Sequence, residues 1–534
     1  MAEGNTAHAD MARRWRAAGV VDQIMCTRKS WEPEKSCQPL PRSREGSHAE
    51  GRPEAASLAG RMTDRGLVPR MATSRPEGGP RLVRSQDEKR EDRTQGRAYL
   101  PDHLVRVNDA AKRSRQTRFT ALFHHLDHEA LERAFRRLRR RAAPGVDGMT
   151  VEAYEQQLGV NLRNLHASLH EGRYRPMPVR RTYIPKADGG RRPLGVTALE
   201  DKIVQSAVAE LLNAVYEADF RECSYGFRPR RSAHNALRAT RTAIMAERVN
   251  WIVDADIRNF FGSVDHSWME RMIAHRIADP RILRLIRLWL RAGVLEDGVI
   301  EDTVTGTPQG AGISPILANI YLHYVLDLWL EQWGRRHSNG RIRLVRFADD
   351  FLLLCQRRDD AERLMAALRE RLAKFGLTLH EGKTRLIEFG RYAAANRARR
   401  GEGRPEIFAF LGFTFYYGTT RTGGLVAKLK TQRTRMISKL KELRVEMKKR
   451  RHEPVEDQSR WLGSVLRGHF AYFGITGNAD SIYKFHRGVV LWWRWVLRRR
   501  GQRPKLPWER YAAILARHPL PTPRIVHNWR TQAV

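Results

Sequence analysis

Val345-Arg346-Phe347-Ala348-Asp349-Asp350-Phe351-Leu352-Leu353-Leu354 is the stretch of this 534-residue chain on which the fold turns. Apolar residues flank Asp349 and Asp350 on both sides, the pattern of two strands joined by a tight hairpin. Such a turn projects both carboxylates into one small volume. Asp is also a favoured turn residue, so the pair alone is equally compatible with an ordinary hairpin tip.

Working outward, Trp251 to Phe261 reads as a second short strand, with Ile252, Val253 and Ile257 apolar and Asp254 and Asp256 interleaved near its end. Residues two apart share a sheet face, so the pattern does not choose between Asp254 and Asp256. If the two strands are neighbours, at least three carboxylates meet at one sheet edge. Two Mg²⁺ ions held by a few carboxylates activate an attacking 3′-hydroxyl and stabilise a departing pyrophosphate, so the set suits nucleotide joining.

Helical signals surround these strands. Ile203, Val204, Ala207, Val208, Leu211, Leu212 and Val215 make one apolar face of a long helix beginning near Leu199. Ser314 as N-cap with Pro315 at the first position opens another, whose face carries Ile316, Leu317, Ile320, Tyr321 and Tyr324. The expectation is an α+β fold, helices against a mostly antiparallel sheet, over residues 116–425. Residues 1–115 are rich in Arg, Glu, Gly, Ser and Pro without periodicity and read as a basic, disordered arm, with order starting near Phe119. Residues 426–534 read as an all-helical, basic domain, with about 25 Lys and Arg against about 7 acidic residues from Lys428 onward.

The whole chain has a formal net charge of +38, dominated by Arg, which points to a polyanionic partner bound through its phosphates and in a salt-dependent way. Cys26, Cys37, Cys223 and Cys355 are too scattered for a disulfide framework or a Cys-x-x-Cys metal pair, which fits a reducing cytoplasm. The tryptophan-rich run Val489–Leu497 is too short to span a bilayer and contains Arg494, so no membrane partner is expected.

Phe347-Ala348-Asp349-Asp350 resembles the [Y/F]-A-D-D motif of reverse transcriptases, and it closes an ordered series. AAPGVDGMT, YIPKADGGRRPLGV, CSYGFRPRRSAHNAL, VDADIRNFF, GTPQGAGISPILANIYLHYVLD, VRFADDF, GLTLHEGKT and FLGFTF resemble successive blocks of bacterial group II intron reverse transcriptase/maturase proteins over residues 119–425. The resemblance implies a right-hand polymerase: fingers and palm with an antiparallel palm sheet, then an all-helical thumb and maturase domain. It implies that Asp256, Asp349 and Asp350 are the catalytic and metal-binding residues, with two Mg²⁺ ions. Lys186 and Arg192 match residues that hold the incoming triphosphate, Phe261 matches the bulky residue that excludes a ribose 2′-hydroxyl, and Gln309 matches the P-Q-G turn beside the nucleotide. Lys383 matches the family's K-T block, and Arg228, Arg230 and Arg231 stand where template or primer phosphates are met. Gly262 and His380 depart from the family's frequent Asp and Asn, and neither is a metal ligand.

In the basic region, LRGHFAYFGITGN, VVLWWRWVLRRR and PLPTPRIVHNW resemble the thumb and maturase segment. Phe470, Tyr472, Phe473, Trp492, Trp493 and Trp495 sit at helical spacing and are expected mainly in a core. Arg494, Arg498, Arg499 and Arg500 are the candidates for RNA phosphates. No paired cysteines or H-N-H pattern of the family's optional endonuclease occurs, so a primer is expected to come from elsewhere, such as a replication fork. The partners implied are intron RNA, an RNA template with a DNA primer, and deoxynucleotides, with no expectation for oligomeric state. The implied location is the bacterial cytoplasm, with nucleoid association when acting on DNA. Alternatives are an RNA-binding maturase without polymerase activity and a reverse transcriptase domesticated for defence.

Overall fold

Leu199, Ile203, Val204, Ala207, Val208, Leu211, Leu212 and Val215 form the buried face of the helix Leu199–Tyr216, as their spacing predicts. The computed structural model describes residues 100–185, 190–296, 299–301, 305–306, 310–390, 392–419, 425–501 and 506–529, all within the unit Ser85–Val534. Against the 199–216 helix pack His128–Arg136, capped by the Asp127 side chain, and Asp102–Arg113.

The helix Asp102–Arg113 corrects the expected extent of the arm. Leu104, Val107 and Ala111 are buried, and the Asn108 amide donates to the Ala214 carbonyl at 2.8 Å. Only three apolar side chains mark its inner face, too few for the periodicity to stand out among the surrounding charges. Residues 1–99, the rest of that expected arm, lie outside the described residues.

Among the described residues the strands form three sheets. The first, ordered β2-β1-β4-β5, joins β1 (Val179–Pro185), β2 (Arg191–Val196), β4 (Val294–Glu296) and β5 (Val299–Glu301), antiparallel except between β1 and β4. The second, ordered β6-β7-β3-β8, is antiparallel throughout and contains β3 (Trp251–Ala255), β6 (Ile342–Phe347), β7 (Asp350–Cys355) and β8 (Arg385–Glu388). Both faces of this sheet are covered. Val253, Phe351 and Leu353 join the core around the 199–216 helix, while Ile252, Leu352, Leu354 and Ile387 face the helix Ala233–Ala246 and the third sheet. Burial on both faces is why β7 is a continuous apolar run instead of an alternating one.

The third sheet, β11-β10-β9, comprises β9 (Phe408–Phe410), β10 (Phe413–Thr419) and β11 (Leu425–Thr431), so its last hairpin straddles residue 425. Beyond it the named elements are helices: Arg433–Lys449, Val455–Phe473, Ala479–Leu497 and Trp508–Arg517. They close on a core of Leu443, Leu462, Leu466, Phe485, Val489 and Trp493. The whole is α+β. The helix expected from Ser314 takes Ser314 as its first residue, with Ile313 in the cap position, and runs through Leu322 into a π-turn, His323–Asp327, and the helix Leu328–His337. No described helix is long and apolar enough to cross a membrane.

Candidate active site

The pairing Phe347↔Asp350 leaves Ala348 and Asp349 as a two-residue turn at the end of β6 and β7. On the other side β7 pairs with β3, Asp254↔Leu352 and Ala255↔Phe351, so the next step along β3 brings Asp256 level with Asp350. Asp256 is fixed there by its own backbone, whose carbonyl accepts from His380 N at 2.7 Å. Asp254 and Asp256 are half-buried on one face, while Val253, Ala255 and Ile257 are buried on the other.

Asp350 reaches solvent, yet desolvation in the cleft pushes its carboxyl up to about 6. Desolvation is the largest cause; the charges of Asp349 and Asp256 come next, Arg435 opposes them, and Asp254 adds to the rise. Mutual repulsion of this kind arises when carboxylates share one volume. Two cations already answer part of it: Lys383 Nζ donates to Asp256 Oδ2 at 2.9 Å, and Arg385 Nη2 lies 3.4 Å from Asp254 Oδ2. Among the described residues, no three His, Cys, Asp or Glu side chains are gathered closely enough to hold a metal in their present rotamers. The donor chemistry fits a hard cation such as Mg²⁺: carboxylate oxygens with excess negative charge, one of them held by a flexible lysine.

The turn rests on a buried polar network that motif reading missed. Arg346 is 0% exposed, and its guanidinium grips Asp327 through Nε to Oδ1 at 2.8 Å and Nη2 to Oδ2 at 2.6 Å. Its Nη1 donates to Asn319 Oδ1 at 3.0 Å and to the Ala348 carbonyl at 3.1 Å. Asn319 in turn donates to the Gly226 carbonyl at 2.8 Å. The signal was present in the sequence as a charge inside an apolar strand, Val345-Arg346-Phe347, and an Asn inside an apolar helix. Arg435, at the start of the helix Arg433–Lys449, carries no comparable signal.

Phe261 is half-buried, edge-on to Phe260 at 5.2 Å, in the short helix Phe260–Ser263 that follows Asp256. Lys186 and Gln309 lie outside the described residues, and Arg192 is described by its backbone alone, in β2 opposite Ile184. Gly310 has φ +111°, and a Cβ there would stand 2.9 Å from the Gly195 carbonyl, so Gly310 itself lies close against β2.

Arg228 is turned inward. It is 4% exposed, pairs with Glu217 at 2.7 Å, donates to the Arg221 and Ser224 carbonyls, and lies over the Phe220 ring. Arg231 is tied to Glu222 by two bonds of 2.9 Å, and Arg230 is exposed.

The C-terminal cluster divides similarly. Arg494 donates to the Leu506 carbonyl and stacks on Trp508 at 3.8 Å, and Arg500 donates to the Glu453 carbonyl at 2.8 Å, so both serve the helical domain itself. Charge in a sequence does not reveal which cations find internal acceptors. Arg498 and Arg499 are exposed, Arg499 over the Trp495 ring. Phe470 and Trp493 are core, as expected, whereas Trp492 and Trp495 are half-exposed beneath Arg444.

Residues 184–415 match the reverse transcriptase (RNA-dependent DNA polymerase) family. Protein YkfC of Escherichia coli (strain K12) is 32% identical over 301 residues, 49% of this chain and 78% of that protein. Group II intron-encoded protein LtrA of Lactococcus lactis subsp. cremoris is 39% identical over 189 residues, 34% of this chain. The chain belongs to the group II intron reverse transcriptase/maturase family. An uncharacterized 91 kDa protein in the cob intron of Schizosaccharomyces pombe is a further family relative, 38% identical over 186 residues and 35% of this chain. The matched stretch covers 31% of LtrA and 22% of the cob intron protein. Family membership implies a right-hand polymerase fold, with which the mixed helices and antiparallel sheets agree.

Proposed function

We propose that this family member is an RNA-directed DNA polymerase that extends a DNA primer on an RNA template with deoxynucleotides, and that it binds intron RNA to assist splicing and mobility. The observation that carries the reading is the β3–β7 register, which sets Asp256 beside Asp349 and Asp350 in a cleft where desolvation and the charges of Asp349 and Asp256 raise the proton affinity of Asp350. In this reading residues 116–425 are the fingers and palm, and residues 426–534 the thumb and maturase domain.

Asp256, Asp349 and Asp350 would hold two Mg²⁺ ions, which when bound activate the primer 3′-hydroxyl and neutralise charge on the departing pyrophosphate. Lys383, bonded to Asp256 through a mostly exposed side chain, compensates that carboxylate and can turn toward a triphosphate. Lys186 and Arg192, which match the family's triphosphate-holding residues, would supply a point charge and a bidentate fork for the same triphosphate. Phe261 blocks a ribose 2′-hydroxyl, and Gln309 lines the base pair. Arg230, Arg498 and Arg499, exposed on a chain of net charge +38, would meet nucleic-acid phosphates.

The test is primer extension on an RNA template with deoxynucleotides and Mg²⁺, comparing the full chain with Asp349→Ala. Extension by the unsubstituted chain alone is the expected result. If neither extends a primer at low salt, the polymerase reading fails and the chain is an RNA-binding maturase without that activity.

A further inference from the structure

Ala348 occupies the left-handed region at φ +58°, a conformation that is unfavourable for a non-glycine residue and persists only where the surroundings impose it. The surroundings here are specific. Behind the turn, Arg346 holds the Ala348 carbonyl at 3.1 Å, and Gly226 lies so close that a Cβ on it would stand 2.3 Å from Ala348 N. Arg346 also anchors the segment bearing Gly226: Tyr225 N donates to the Arg346 carbonyl, and Arg346 N donates to the Cys223 carbonyl, both at 2.8 Å.

Arg346 is itself fixed from the opposite side. Asp327 ends the π-turn His323–Asp327 and Asn319 lies on the helix that runs into it, so this helical run and the β6–β7 turn, distant in sequence, meet at one guanidinium. A buried ion pair is weak as a source of stability, because desolvation offsets its attraction; its usual use is to select one arrangement. A five-donor planar fork suits that task, since each of its bonds constrains direction as well as distance.

We propose that Arg346, with Asp327 and Asn319, is the positioning element of the carboxylate turn, holding Ala348 in its left-handed conformation so that Asp349 and Asp350 stay aligned with Asp256. Arg346 touches no reacting atom in this account; it acts through the Ala348 carbonyl. The inference rests on the polymerase reading and adds residues that the motif does not name.

The protein supplies its own control. Arg276, 0% exposed, pairs with Asp219 at 2.7 Å and donates to the Arg115 and Ala111 carbonyls, a similar buried pair in a part of the fold that does not touch the turn. Arg346→Gln and Arg276→Gln are compared by thermal unfolding and by primer-extension kcat and KM per folded molecule. Both variants are expected to melt earlier. Only Arg346→Gln is expected to lose kcat, by about 100-fold for a displacement near 1 Å, with KM for primer-template and deoxynucleotide changed little. Adding Ala348→Gly to Arg346→Gln should recover part of that kcat, because glycine takes φ > 0 without support.

Equal kcat in Arg346→Gln and Arg276→Gln overturns the proposal while leaving the polymerase reading intact. So does a double variant no faster than Arg346→Gln alone. An unsubstituted chain that extends no primer overturns the polymerase reading, and the inference with it.

Discussion

Replacing Gly226 by Ala puts a Cβ 2.3 Å from the backbone nitrogen of Ala348 and 2.9 Å from the carbonyl carbon of Phe347. Ordinary van der Waals contact begins near 3.4 Å, so one backbone must retreat by about 1 Å from the other. No flexible side-chain end is available to absorb this. The Gly226 carbonyl is held by Asn319 and its neighbour Tyr225 by Arg346, so the retreat falls on the turn that carries Asp349 and Asp350. Overpacking should cost about 1–3 kcal/mol of stability. A carboxylate displacement of about 1 Å should slow chemistry by about 100-fold. Single-turnover primer extension, normalised to folded protein, measures the second quantity, and thermal unfolding the first. Gly468→Ala is the control, since a Cβ there meets nothing within 4 Å on the exposed face of the helix Val455–Phe473, and it should stabilise by about 0.5–1 kcal/mol. A Gly226→Ala protein whose rate stays within about threefold of the unsubstituted chain would refute the reasoning.

Arg228→Met should cost about 3–5 kcal/mol, because Glu217 loses its partner, while RNA affinity per folded molecule stays unchanged; a selective loss of RNA binding by filter retention would restore Arg228 as a phosphate contact. His323 is buried and neutral, its proton affinity lowered by burial to about 4, so between pH 6.5 and 4 the unfolded chain binds more protons than the folded one. Stability present above pH 6.5 is therefore lost as the pH falls through that window, by at most roughly 3 kcal/mol for this residue, and denaturant titrations should show the loss reduced in His323→Gln. RNA affinity should fall at least about 1,000-fold between 50 and 200 mM salt if six or more phosphates are neutralised; a flat log-log plot by fluorescence anisotropy would contradict a phosphate-dominated interface.

The hairpin, strand β3 and the helix Leu199–Tyr216 were legible because their apolar patterns are strong and local. Asp254 and Asp256 were not separable by alternation, since both lie on one face; pairing with β7 sets Asp256, not Asp254, level with Asp350. The network behind the turn was illegible for a different reason. Arg346 meets Asp327 and Asn319, 19 and 27 positions away, and Asn319 meets Gly226, 93 positions away, only through tertiary packing, and no local rule links such positions. The internal partners of Arg228, Arg494 and Arg500 were illegible on the same account, because a sequence shows a cation but not the carbonyl or carboxylate that it meets. The helix Asp102–Arg113 was overlooked because its inner face is narrow and its outer face resembles the charged stretch before it.

The central claim is that Asp256, across the sheet from Asp349 and Asp350, completes one catalytic site. Its most direct test is the Mg²⁺-dependent primer-extension rate of Asp256→Asn against Asp254→Asn under single-turnover conditions. Asp256→Asn should lose more than about 100-fold, as expected for a direct metal ligand, while Asp254→Asn, whose partner Arg385 lies at its edge, should lose less than about tenfold. An Asp256→Asn enzyme that extends primers at the unsubstituted rate, or an Asp254→Asn enzyme that is the more impaired of the two, would contradict the account.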